Sequence, residues 1–193
     1  VLSSILRICL ITVITNTFVF FGNSYISNAE AQQKYRSHPI KEVVLGLGGH
    51  DVGVFGHKKE RGRDLNIEVR LIPPEIGLWE FIYSPTPHIG VHINGDGNTN
   101  QLFLGGNWIF DFGSIFFAGG SLGFAIHDGE LDSDTKGRKD LGMQLLFRES
   151  VEFGVRFEER HAISIMLDHI SNASIDDQNE GLDTVSIRYT SSF

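Results

Sequence analysis

The sequence predicts an all-β protein, an eight-stranded antiparallel transmembrane β-barrel. Apolar residues recur with a period of two along about eight segments, the mark of strands with two unlike faces. The second face carries charges such as Arg148, Glu152 and Arg156, which a dry sandwich core does not accept. Connections alternate between tight and long, as in barrels that cross a membrane. The length of 193 residues fits one domain, and 41% hydrophobic residues with 22 Gly and 15 Phe leave no Leu/Ala-rich helical tract. A formal charge of −8 excludes non-specific nucleic-acid binding, which needs a basic face.

Residues 1–31 read as a signal peptide. Arg7 precedes the apolar run 8–21, and Ala29-Glu30-Ala31 has the small-x-small pattern of a cleavage site. The run is shorter than the roughly 20 residues of a spanning helix. Cys9 is the sole cysteine and lies inside this segment, so residues 32–193, the barrel, are expected to use no disulfide and no thiolate.

The first strand, around 41–54, is irregular. In the second, Leu65, Ile67, Val69 and Leu71 alternate with Asn66, Glu68 and Arg70. The link 73–87 is long for a barrel turn and is expected to form a short amphipathic turn at the membrane interface. Ile89, Val91 and Ile93 then oppose His88 and His92, which without a third ligand read as lumen polarity. Strands follow over 101–112 and 116–127, joined by the tight Phe112-Gly113-Ser114. After the polar stretch 128–140 come 143–157, the tight Glu158-Glu159, and 161–170. The last strand, 183–193, ends on the aromatic Phe193, which resembles the sorting signal of outer-membrane barrels.

With both termini on the periplasmic side, the last hairpin turns at the cell exterior through 171–183. His169 and Ser171 share the parity of Ile163, Ile165 and Leu167, and Asp183 that of Val185, Ile187 and Tyr189. All three then lie on the lipid-facing wall near the outer-leaflet interface, where ionisable groups are costly. One reading is interfacial polarity where the strands leave the membrane. The other is acyl transfer: His169 as general base for the Ser171 hydroxyl, Asp183 holding the imidazole, and Asn172, Asn179 or the amides of Ala173 and Ser174 as oxyanion donors.

His169-Ile170-Ser171-Asn172-Ala173, followed by Asn179-Glu180-Gly181-Leu182-Asp183, resembles the C-terminal signature of the outer-membrane lipid A 3-O-deacylases, the PagL family. That signature runs H-x-S-N-A, then N-x-G, then an acidic residue. The resemblance implies an eight-stranded outer-membrane barrel that removes an ester-linked acyl chain from lipid A at the outer leaflet. It places the catalytic residues at His169, Ser171 and Asp183, and the oxyanion or orienting asparagines at Asn172 and Asn179. The family acid is usually glutamate, and Asp183 is one methylene shorter. Glu180 is a poor stand-in because its parity points the other way.

The implied partners are lipid A or lipopolysaccharide as substrate and the surrounding outer-membrane lipid, with homodimerisation left open. No metal and no other cofactor is expected. Asn94-Gly95-Asp96-Gly97-Asn98 lacks the spacing of a calcium loop. The basic run 57–63 is an exterior loop that lipid A phosphates would suit. Two non-enzymatic alternatives stand beside the esterase: a small structural or adhesive outer-membrane barrel, and a soluble exported barrel that binds a lipid.

Overall fold

A computed structural model describes residues 39–132 and 135–193. The expected signal peptide, 1–31, lies outside the described residues. Eight antiparallel strands close into a barrel in sequence order: β1 (Ile40–Gly49), β2 (Arg63–Leu71), β3 (Thr86–Asn94), β4 (Gln101–Phe112), β5 (Phe116–His127), β6 (Leu145–Phe157), β7 (His161–Ser171) and β8 (Leu182–Ser192). The closing pair is β1 with β8, running from Glu42↔Ser192 to Gly49↔Val185. Strands of 9 to 13 residues suit a tilted bilayer crossing. Among the described residues no helix is long and apolar enough to cross a membrane.

The distribution of polarity is inverted relative to a water-soluble fold. Outward positions are exposed and apolar, among them Leu47, Leu104, Phe153, Ile165 and Ile187. Inward positions are polar, and many are fully enclosed. Buried Arg70 reaches Glu68 at 2.7 Å, Glu152 at 2.7 Å and Glu42 at 3.1 Å, and Arg188 reaches Glu68 at 2.8 Å. Arg70, Arg188, Glu68 and Glu152 are each compensated by more than one partner, as a charge held away from water requires. Higher up, Arg148 pairs with Asp168 and lies 3.8 Å above the Phe103 ring. Phe103 fits because its cross-strand partner is Gly90, where a Cβ would approach the ring to 2.5 Å. The lumen is therefore packed with side chains, and His88 and His92 belong to it.

One end of the barrel has tight turns at 113–115 and 158–160. Its third link carries the short helix α1 (Gly77–Phe81), with Leu78 and Phe81 exposed at 76% and 81%. Indole N–H groups pin this link: Trp79 donates to the Pro85 carbonyl and Trp108 to that of Ile82. The expected short amphipathic turn is thus a helix with a bare apolar face.

The other end carries the long loops 50–62, 95–100, 128–144 and 172–181. Here the first strand is shorter than expected. It stops at Gly49, because Asp51 and Gly53 take positive φ values of 45° and 72° that no strand continues. Residues 50–54 instead begin a loop that folds over the barrel wall. Met143 likewise precedes β6, which starts at Leu145.

Candidate active site

In the β7–β8 ladder His169 stands directly opposite Asp183. Cross-strand partners on one face lie close enough for side chains to meet, and His169 Nδ1 hydrogen-bonds Asp183 Oδ1 at 2.6 Å. An Nδ1–H donated to a carboxylate leaves Nε2 as the proton acceptor, the tautomer a general base needs. Ser171 follows two residues later on the same face, across from Phe147. Side chains spaced this way on a strand stand about 7 Å apart at their bases. Among the hydrogen bonds of the described residues, none joins Ser171 to His169.

All three side chains lie on the outward parity, as the alternation predicts, yet they are not equally bared. The His169 side chain is 15% exposed, whereas that of Asp183 is 3% exposed. Asp183 is covered by loop 50–62. Its Oδ2 accepts the Phe55 N–H at 2.8 Å, and its main-chain carbonyl accepts the Val52 N–H at 2.9 Å. The Phe55 ring meets His169 edge-on, with centroids 5.2 Å apart. Sequence reasoning missed these contacts because it carried β1 to residue 54. The break in alternation at Gly53 and Gly56, within DVGVFGHKK, is the signal that marks the loop.

The asparagines shape the loop after Ser171. The Asn172 side-chain amide donates to the carbonyls of Gln178 at 2.5 Å and Leu141 at 3.2 Å, while its Oδ1 accepts the Ser174 N–H at 2.9 Å. The Asn172 main-chain N–H goes to Asn179 Oδ1 at 3.0 Å. Both Asn172 amide hydrogens are thus engaged, so this side chain orients the turn. Ala173 and Ser174 take φ values of 54° and 64°, a left-handed pair that re-aims successive amides. Glu180 is held by Lys59 at 2.8 Å and by the Asp140 N–H at 2.8 Å, away from His169.

Gly181 is the motif glycine, and its role is spatial. It sits at φ 61°, and a Cβ there would come within 2.8 Å of His169 Cε1 and 3.2 Å of the Ile170 carbonyl. Gly181→Ala is therefore expected to displace the imidazole and to slow any reaction that depends on it about a hundredfold. Steady-state kinetics on folded barrel, identified by heat-modifiable gel mobility, measures it.

Loop 50–62 rests on a buried cluster of charges. Asp51 Oδ2 accepts the N–H groups of Lys59 at 2.7 Å and Glu60 at 2.9 Å, and Lys139 Nζ lies 3.3 Å from Asp51 Oδ1. Lys139 also donates to the His57 carbonyl at 2.6 Å. Buried His50 bridges Asp64 and Glu60, at 2.8 Å to each.

Burial disfavours a charged His50, but the hydrogen bonds it donates to Asp64 and Glu60 outweigh it and raise its pKa to about 9. Burial acts against ionised Glu60 as well, yet His50 and the N–H groups of Lys139 and Thr99 hold it down to about 2. A raised histidine pKa stabilises fully below its ordinary 6.5, and that contribution is lost as pH climbs through about 9. The lowered Glu60 value stabilises above 4.5 and fades as pH falls toward about 2. The His50 imidazole proton resonance is accordingly expected to titrate near pH 9 in the folded protein; a midpoint near 6.5 would contradict the bridge.

An imidazole–carboxylate pair with a nearby serine, on the outside of an eight-stranded barrel, defines a small membrane-barrel enzyme. The lipid A 3-O-deacylase (PagL) family model matches residues 74–192, more than half of the chain. The chain belongs to that family, and is a hydrolase that deacylates lipid A in the outer membrane. The crystal structure of the outer membrane enzyme PagL is similar in fold, with a TM-score of 0.58 at 18% identity, covering 79% of this chain and 99% of that one. The N-terminal β-barrel domain of Pseudomonas aeruginosa OprF follows at TM-score 0.51 and 12% identity, covering 81% and 100%. No curated protein matches the chain in sequence.

Proposed function

We propose that the chain cleaves the 3-O-linked acyl ester of lipid A at the outer leaflet through Ser171, His169 and Asp183. The observation that carries this reading is the 2.6 Å His169–Asp183 hydrogen bond on the outward face of the last hairpin. Ser171 Oγ attacks the ester carbonyl while His169 Nε2 takes its proton. Asp183 keeps the imidazole in its productive tautomer and stabilises the imidazolium. The tetrahedral oxyanion is met by a main-chain amide of the left-handed turn. Ala173 is assigned that part, since among the described residues no hydrogen bond uses its N–H.

Collapse of the intermediate expels the lipid A alkoxide, which takes the proton from His169 and leaves as the free hydroxyl. Water, deprotonated by the same imidazole, then releases the fatty acid and frees Ser171. The short turns and both ends of the barrel chain face the periplasm in this reading, with the long loops outside and residues 1–31 as the export signal. Exposed Arg63 at the loop end of β2 is placed to meet a lipid A phosphate.

Mass spectrometry of lipid A from cells expressing the chain tests the proposal. Loss of one acyl chain is expected, and fragmentation should place the vacated hydroxyl at position 3. Unchanged acylation, or loss from another position, would overturn the assigned specificity.

A further inference from the structure

We infer that loop 50–62 is a working part of the active centre, with Phe55 and Asp51 as positioning residues for the His169–Asp183 pair. This rests on the catalytic reading given above. The family match begins at residue 74, so the loop is a contribution from outside the matched region.

An aspartate in place of the usual glutamate has a shorter reach, and the backbone here compensates. Asp183 uses one oxygen for His169 and has the other fixed by the Phe55 N–H at 2.8 Å. Two anchored oxygens leave the carboxylate little rotation about its last torsion. The Phe55 ring packs edge-on against the imidazole, with centroids 5.2 Å apart. Val52 N–H, bonded to the Asp183 carbonyl at 2.9 Å, ties the same loop to the backbone of β8.

The loop can act this way only if it is itself held, and Asp51 holds it. Its carboxylate gathers the Lys59 and Glu60 N–H groups on one oxygen and the Lys139 ammonium on the other, so the segment between residues 51 and 59 is closed into a ring around Phe55. Lys139 comes from loop 128–144 and grips the His57 carbonyl at 2.6 Å. Asp51 is fully buried and sits at φ 45°, a conformation that aspartate and asparagine tolerate better than alanine. The chain thus encloses a carboxylate and an ammonium, both costly to bury, in a loop that bonds the acid through Phe55 and Val52 and meets the base through the Phe55 ring.

Phe55→Pro deletes the N–H that Asp183 accepts. A hydrogen bond to a carboxylate of this kind is worth about a tenfold to hundredfold change in rate. Because the contact removed is to the acid of the pair, the loss should fall on kcat, with KM within about twofold. Phe55→Leu, which keeps the N–H, should lie between the variant and wild type. Asp51→Ala should lower kcat similarly, and Asp51→Asn should recover part of it.

The assay is steady-state deacylation of lipid A in detergent micelles, normalised to heat-modifiable folded barrel, with Ser171→Ala alongside. A folded Phe55→Pro barrel with wild-type kcat overturns the proposal, as does a rise in KM at constant kcat. If Phe55→Pro gives no folded band, Asp51→Asn decides: kcat equal to wild type overturns the proposal, a reduced kcat at constant KM supports it. An active Ser171→Ala would defeat the underlying catalytic reading instead, which separates the two failures.

Discussion

Ser171→Ala is expected to reduce lipid A deacylation by roughly a millionfold, the scale on which removing a serine nucleophile acts when base and nucleophile work as a unit. The prediction follows from geometry that leaves no substitute. Within the outward patch, His169 is engaged by Asp183, and Ser171 shares its strand and face. Ser174, the next hydroxyl, accepts the Asn179 amide at 3.2 Å in the loop beyond. The substitution removes one oxygen from a partly exposed strand end, so the barrel should fold unchanged. Lipid A from cells expressing the variant should carry its full set of acyl chains in the mass spectrum. Continued loss of an acyl chain would move the nucleophile elsewhere.

Asp183→Asn should cost about ten-thousandfold in kcat, the loss seen when the acid of a serine–histidine site becomes an amide. Its Nδ2 would present a donor where His169 Nδ1–H now donates, forcing the imidazole to the tautomer with Nε2 protonated. The Phe55 N–H still finds an oxygen, so the shape is kept and the chemistry is lost. Asp183→Glu is the informative companion. It restores the usual family acid, but the extra methylene must fit beneath Phe55, where Asp183 is already 2% exposed. An intermediate kcat is expected for Asp183→Glu, and near wild-type kcat for Asp183→Asn would contradict the assigned role of the acid.

The barrel was legible because every strand writes its two faces in alternate letters. Leu65 to Leu71 and Met143 to Phe157 spell out an apolar wall and a charged lumen in the order of their residues. The facing of His169 and Asp183 could be read as well, since both parity and the hairpin's span are local properties of the chain. What escaped was the burial of Asp183. The residues that cover it, Val52 and Phe55, are 131 and 128 positions away, and they do so through main-chain N–H groups that no side-chain pattern records. The partners of Asn172 escape for a related reason. An asparagine amide looks like an oxyanion donor in a motif, and only the carbonyls of Gln178 and Leu141 reveal that it is already committed. The run 57–63 reads as a basic exterior loop, yet Lys59 is paired with Asp140 and Glu180, and Glu60 is 1% exposed.

The barrel's inverted packing has a kinetic consequence. With the lumen filled and the proposed reactive groups on the convex wall, nothing needs to enter the protein. Substrate arrives sideways, by lateral diffusion in the leaflet, and its head group is already upright when it meets the wall. Encounter is then a two-dimensional event governed by molecules per unit of membrane area. Diluting lipid A with inert lipid slows such an enzyme, whereas adding more vesicles of the same composition does not speed it once every barrel is embedded.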